Sequence, residues 1–233
     1  MVRGLVLHSG GIDSTVCLAI ADEECNGRVH TLSFDYGQRH YKEIKAAREI
    51  SGTQGFEHHV ISLDANSFKG FGSTLVDDLP NPHLSYEQLR ESEGPSPTYV
   101  PQRNLSFLSE AARVALIGNF DYIYFGAHAD DAHNFAYPDC TPEFIGAIGN
   151  AIYVGSYYKT RLRSPLMWMT KAEVVRKGFE LNVDFSQTWS CYEGGEVHCG
   201  ICPTCVSRKE AFSLAKVDDP TEYTAVYLQR EEA

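Results

Sequence analysis

The sequence predicts an α/β protein organised around a doubly wound, mostly parallel sheet. Short apolar runs alternate with helical patterns, a glycine pair stands where the first run meets the first helical pattern, and 43% hydrophobic composition over 233 residues suffices for one buried core. Residues 4–8 (GLVLH), 28–36 (RVHTLSFDY), 58–63 (HHVISL) and 121–127 (DYIYFGA) read as short buried strands. Between them, residues 13–24, 38–51 and 105–117 carry apolar side chains at helical spacing. A βαβα series of this kind places ligand chemistry at the carboxyl ends of the strands.

Two further helix starts are marked. Thr141, Pro142 and Glu143 supply an N-cap, an N1 proline and a first-turn acid, and Thr170 to Glu173 (TKAE) forms a capping box. The stretch 64–103, with prolines at 80, 82, 95, 97 and 101, is too long for an ordinary connection. It reads either as a lid over the site or as an insertion without a role. One domain over residues 1–233 is expected, ending in a helical metal-binding segment at 190–212.

The net charge of −11 is the reverse of the basic footprint of a phosphate-backbone binder, so a small-molecule substrate is favoured over nucleic acid. The first apolar stretch runs straight into polar SGG and has neither signal-segment nor membrane length. No membrane association and a cytoplasmic location are therefore expected.

The segment from His8 through Ser9, Gly10, Gly11, Ile12, Asp13 and Ser14 to Thr15 lies where strand turns into helix. Glycines there let the backbone bend and bring its amides close to phosphate oxygens, the helix dipole adds a favourable field, and the serine hydroxyls add donors. The spacing fits neither a Walker A loop nor the GxGxxG fingerprint. SGGIDS at a first βα turn resembles the phosphate loop of the N-type ATP pyrophosphatases, the PP-loop superfamily.

Further motifs follow in order: FDYGQRH (34–40), YVPQRN (99–104), GAHADD (126–131), YPDCTPEF (137–144), PLMWMTKAEV (165–174) and the cysteine-rich run 190–212. Together with the phosphate loop they resemble the 7-cyano-7-deazaguanine synthase family, which acts in queuosine and archaeosine precursor synthesis. Two segments depart from the more familiar bacterial pattern. GAHADDAHNFAYPDC stands in place of TDFSGYPDC, and PQRN in place of PGRN. The HADD form is similar to the archaeal branch.

The resemblance implies ATP with Mg²⁺, 7-carboxy-7-deazaguanine and ammonium as small-molecule partners, and a homodimer. Asp13, Ser14, Arg103 and Lys171 are the candidate catalytic residues. The Arg103 guanidinium suits a phosphate or carboxylate, against a surface ion pair for an arginine taken alone. Lys171 either meets phosphates or simply opens its helix. Asp130 and Asp131 after a strand end offer hard carboxylates for Mg²⁺, or else form an acidic loop. Tyr137 and Asp139 suit a deazaguanine by stacking and by accepting N–H donors, against a plain turn with Cys140 packed as an apolar residue.

Cys191, Cys199, Cys202 and Cys205 give a C-x7-C-x2-C-x2-C pattern able to surround one tetrahedral ion. Four thiolates make a closed, structural zinc site. The rival is an iron–sulfur cluster, and the resemblance points to zinc. A tRNA-modifying thiolase-like PP-loop enzyme and a non-catalytic nucleotide-binding module are the alternative functions.

Overall fold

The computed structural model describes residues 1–39 and 41–224. Five strands, β1 (Gly4–Leu7), β2 (Val29–Asp35), β3 (Glu57–Ser62), β4 (Tyr122–Tyr124) and β5 (Arg161–Arg163), form a wholly parallel sheet in the order β3-β2-β1-β4-β5. Eight helices accompany it: α1 (Ile12–Cys25), α2 (Lys42–Thr53), α3 (Tyr86–Glu91), α4 (Arg103–Gly118), α5 (Ala129–Ala132), α6 (Pro142–Gly155), α7 (Lys171–Glu180) and α8 (Pro203–Ala215).

The central strand β1 is buried on both faces, which is why it reads as a continuous apolar run. Its alternate side chains feed two cores. Val6 packs with Val16 and Leu18 of α1, Val174 of α7 and Phe212 of α8. Leu5 and Leu7 pack on the other face with Leu108 and Ala111 of α4 and Ile152 of α6. Helices thus cover both faces of the sheet, as the alternating pattern predicts. The strand order reverses between β1 and β4, so their carboxyl ends diverge and open a crevice there.

Where elements differ from expectation, local chemistry accounts for it. Helix α2 starts at Lys42, later than residue 38, because the Gln38 side chain accepts from Tyr36 N–H at 2.9 Å and donates to the Phe34 carbonyl at 3.1 Å. That side chain holds a turn in competition with helix. Strand β4 ends at Tyr124, short of residue 127, and the chain then crosses the start of α1. A Cβ at Gly126 would lie 3.1 Å from the Asp13 carbonyl oxygen. Strand β5 gives little sequence signal, because its three residues RLR carry two arginines. Arg163 lays its guanidinium 3.7 Å from the Tyr122 ring centre and pairs with Glu24.

Both marked helix starts are present. The Thr170–Glu173 capping box is complete, and the Thr141 hydroxyl accepts from Phe144 N–H with Pro142 in the first turn. In the stretch 64–103, Asp64 caps a 3-10 turn, Ala65–Phe68, Ser85 heads α3 with a capping box, and Phe68, Leu75 and Val76 enter the second core.

Gln102 caps α4 in the left-handed region, at φ 57° and ψ 20°, without a side-chain cap hydrogen bond. For a side chain with a Cβ this region costs about 1–2 kcal/mol, of which a glycine's looser unfolded chain takes back roughly 0.4–1. Gln102→Gly, the residue of the PGRN form, is expected to raise stability by about 0.5 kcal/mol. Urea unfolding of the variant beside the parent checks this, and a loss of stability contradicts it.

Candidate active site

A cavity of about 410 Å³ opens at the switch point between β1 and β4. Its floor is the turn from β1 into α1. Gly11 caps α1 without any side-chain hydrogen bond, so the first amides of the helix are left for a ligand. Gly10 sits at φ 82°, and a Cβ there would lie 2.5 Å from the Glu43 carbonyl oxygen and 2.6 Å from Ala47 N. Only glycine lets α2 pack this close beneath the loop. The Ser14 hydroxyl lies 3.0 Å from that of Ser9 and receives the Ser9 N–H at 3.1 Å, while Thr15 Oγ1 donates to the Gly11 carbonyl at 2.7 Å. His8, beneath, meets Thr15 Oγ1 at 3.2 Å. Of the predicted loop residues, His8, Ser9, Gly11, Ile12, Asp13 and Ser14 line the cavity, while Gly10 and Thr15 support it.

One wall is a charged cluster from three separate segments. Lys171 Nζ, from the first turn of α7, reaches Asp13 Oδ2 at 2.5 Å, and its backbone N–H donates to Asp130 Oδ2 at 2.8 Å. This lysine opens a capped helix and also brings its ammonium to Asp13 of the loop between β1 and α1. His128 Nε2 stands 3.5 Å from Asp13 Oδ1 and 3.4 Å from Asp131 Oδ2. Burial alone would raise the Asp13 carboxyl, but Lys171 and His128 outweigh it and hold the group below the usual carboxylate range. Lys171 and His128 go up against their own burial, because the aspartates face them. Burial pushes Asp131 up. The aspartates thus favour the charged forms of Lys171 and His128, and the Lys171 ammonium stands beside the exposed amides at the start of α1.

The opposite wall is aromatic. Arg103 Nη1 donates to Tyr36 OH at 3.0 Å, and the guanidinium carbon lies 5.6 Å from the Tyr36 ring centre and 5.7 Å from that of Phe107. Its Nε–H is buried without a hydrogen-bond partner. Tyr137 and Tyr192 also line the space, Tyr137 pairing its hydroxyl with Thr98 at 2.5 Å. The stretch 64–103 contributes Leu84, Tyr86, Leu89 and Pro97 to the lining.

Asp139 is buried behind Arg103 and does not line the cavity. Its Oδ2 accepts the Asn104 N–H at 3.0 Å in the first turn of α4. Sequence reasoning singled out neither His128, inside the GAHADD motif, nor Tyr36 and Phe107. A histidine one residue from an acidic pair was the available signal for the first. The aromatics carry none, since core and pocket aromatics look alike in sequence.

The sulfurs of Cys191, Cys199, Cys202 and Cys205 lie within 4.8 Å of one another. The Cys199 and Cys205 sulfurs are 3.9 Å apart, close to the roughly 3.8 Å edge of a tetrahedron with bonds of about 2.3 Å. Backbone N–H groups of Cys202 and Ile201 point at Cys199 Sγ, and that of Cys199 at Cys191 Sγ, donors that favour thiolates. The four residues could hold a metal. The segment also braces the cavity. Trp189 N–H donates to the Gly10 carbonyl at 2.9 Å, and the fully buried Arg208 of α8 donates to Thr188 Oγ1, the Phe185 carbonyl and Asp219.

A parallel sheet with an amide-lined, lysine-flanked loop at its switch point defines an α/β nucleotide-binding enzyme of the phosphate-loop type. Residues 3–216 match the family model described as Queuosine biosynthesis protein QueC, and the chain belongs to that family. The 7-cyano-7-deazaguanine synthase of Thermoplasma acidophilum is 41% identical over 226 residues, covering 95% of this chain and 92% of that protein. The protein of that name from Hahella chejuensis is 38% identical over 224 residues, covering 96% and 94%. A solved tRNA thiolase from Methanococcus maripaludis, with an iron–sulfur cluster, overlays 99% of this chain and 72% of its own at 16% identity and a TM-score of 0.49, and nothing about this chain's metal follows from it. No helix among the described residues is long and apolar enough to cross a membrane.

Burial first, and the neighbouring His58 second, pull the His8 imidazole down to about 3, so it is neutral beneath the loop at any ordinary pH. Above pH 6.5, His8 is neutral both folded and unfolded and has no effect. As pH falls from 6.5 towards 3 only the unfolded chain takes up its proton, and folding stability drops by up to about 1.4 kcal/mol per pH unit from this one group. Urea unfolding at pH 7 and pH 5 is expected to show the loss, and His8→Gln to show a smaller one. An equal slope in both proteins contradicts the assignment.

Proposed function

We propose that this chain is an ATP-consuming carbon–nitrogen ligase that converts 7-carboxy-7-deazaguanine and ammonia to 7-cyano-7-deazaguanine. Family membership over residues 3–216 supports the reaction. The observation that carries the assignment to this cavity is Lys171 reaching Asp13 across the free amides at the start of α1. In this reading the enzyme is cytoplasmic and works as a homodimer of single domains spanning residues 1–233, each including the four-cysteine segment 190–212.

A carboxylate is a poor electrophile, so the substrate's carboxylate first attacks the α-phosphorus of ATP and pyrophosphate leaves. The amides of Ile12, Asp13 and Ser14, with the hydroxyls of Ser9 and Ser14, receive the departing charge, and Lys171, positioned by Asp13, neutralises it. Mg²⁺ would be held by Asp130 and Asp131, whose residues line the cavity, and when bound would neutralise the triphosphate. Ammonia attacks the acyl adenylate, loses a proton and expels AMP to give the amide. The amide oxygen then attacks the α-phosphorus of a second ATP, pyrophosphate leaves and the nitrogen gives up one proton, and loss of AMP with the second N–H proton leaves the nitrile. No protein nucleophile takes part, so the chain's contribution is positioning and charge stabilisation.

Arg103, oriented by Tyr36, serves the substrate carboxylate or the α-phosphate, and Tyr137 offers a face on which the deazapurine stacks. Asp139 serves the substrate best through α4. Its Oδ2 already takes the Asn104 amide at the start of α4, beside Arg103, which leaves Oδ1 for any further donor. Zinc suits the four cysteines, because their sulfurs share one tetrahedron. A [4Fe–4S] cluster would instead hold each thiolate on a separate iron and spread the sulfurs further apart.

Asp13→Asn is expected to lower kcat for ATP-dependent nitrile formation by about 10² or more, while the protein unfolds as cooperatively as its parent. Mass spectrometry of product from protein, ATP, ammonium and the deazaguanine acid, together with an unfolding curve, measures both. Full activity removes the charged cluster from the mechanism, and absence of product in the parent protein removes the assigned reaction.

Cys199→Ser is expected to lower stability before chemistry, because a structural zinc site contributes folding free energy. Elemental analysis should find one zinc per parent chain. Iron with sulfide in its place contradicts the zinc assignment.

A further inference from the structure

At the end of the sheet opposite the cavity, two neighbouring strands bring three ligand-type side chains together. In the parallel register of β2 and β3, His30 pairs with Glu57, and His59 lies two residues further along β3. The two-residue period of a strand puts all three on one face of the sheet. His30 Nδ1 is 3.4 Å from Glu57 Oε2, and His59 Nε2 is 3.2 Å from Glu57 Oε1. One donor atom from each residue lies within 4.8 Å of the others.

The spacing favours a shared cation over hydrogen bonds. Bonds of about 2.1 Å from imidazole nitrogen and carboxylate oxygen to a tetrahedral ion put neighbouring donors about 3.4 Å apart, near the 3.4 and 3.2 Å at which the two imidazoles stand from the two Glu57 oxygens. His30 Nδ1 is buried and makes no hydrogen bond, although a carboxylate stands beside it. With the imidazole N–H on Nε2, His30 Nδ1 and the Glu57 carboxylate both present lone pairs, and a cation between them satisfies both.

The His30 ring is held in place by the Phe120 edge at 5.0 Å and stacks on His59 at 5.8 Å and 12°. Arg3 lies over the Phe120 ring at 4.5 Å and is the fixed charge nearby, while His58, between the ligands in sequence, turns to the other face and meets Thr31. Glu57 and His59 are 62% and 44% exposed, so an ion has direct access from solvent.

We propose that His30, Glu57 and His59 form a second metal site that takes a borderline divalent cation of the zinc class, with three protein ligands and a remaining position for water. Its nitrogen–oxygen donor set is distinct from the four thiolates, and it clips edge strand β3 to β2. The site is independent of the reaction assigned to the cavity.

Protein already carrying one zinc per chain, titrated calorimetrically with Zn²⁺ at neutral pH, is expected to take up a second equivalent and to gain Tm as it does so. His59→Ala and Glu57→Gln, both at exposed positions, are expected to fold and turn over as the parent does, and to bind the second ion at least about tenfold more weakly without the gain in Tm. Absence of a second equivalent in the parent overturns the site, and so does undiminished binding in either variant.

Discussion

The molecule depends on how closely the chain can pack around Gly10. Helix α2 presses the Glu43 carbonyl and Ala47 N so near this residue that any side chain would collide with them, and the Gly10 carbonyl receives Trp189 N–H from the head of the four-cysteine segment. One residue thus joins β1, α2 and the metal segment. Because each neighbour is fixed elsewhere, by the sheet, by the second face of α2 and by the cysteine cluster, the loop is held in its curved form before any ligand arrives. Preorganisation of this kind spares the reorganisation a floppy loop would need at each turnover.

The charged cluster is arranged by the same economy of elements. Asp13 comes from the first turn of α1, Lys171 from the first turn of α7, and His128 from the chain leaving β4. Helices α1 and α7 pack through Val16 and Val174 in one core, so the distance between Asp13 and Lys171 is fixed by apolar packing below them. Gly126 sets the third side, since its close approach to the Asp13 carbonyl lets β4 deliver His128. Core packing and site geometry are therefore one problem.

That coupling explains what was legible in the sequence. The strands around Leu5, Leu32 and Val60 and the helices around Val16 and Leu108 announce themselves by periodicity, because burial on a sheet face or helix stripe imposes it. The glycine pair and the four cysteines are legible because few other residues do their work. Strand β5 is not, since its short polar run gains its place from pairing with β4. Asp139 shows the harder limit. A carboxylate beside an aromatic suits a guanine edge and suits a helix start equally well, and the Asn104 N–H on its Oδ2 comes to light only once the chain is folded. His30, Glu57 and His59 are likewise a plain strand pattern until register brings β2 and β3 side by side.

A net charge of −11 does not conflict with a site built for phosphates, because charge at the surface and field within a crevice act over different ranges. Ile12, Arg103, Lys171 and Pro203 all border the cavity, and each stands in the first turn of α1, α4, α7 or α8, so four helix amino termini converge there. The amides at the start of α1 have no side-chain cap and contribute a partial positive charge, those of α4 and α7 are capped by Asp139, Thr170 and Asp130, and Arg103 and Lys171 add whole charges. The acidic surface is screened by salt within about 10 Å, whereas the walled crevice is not. The overall charge thus acts at the surface, while the convergence of helix starts acts within the crevice.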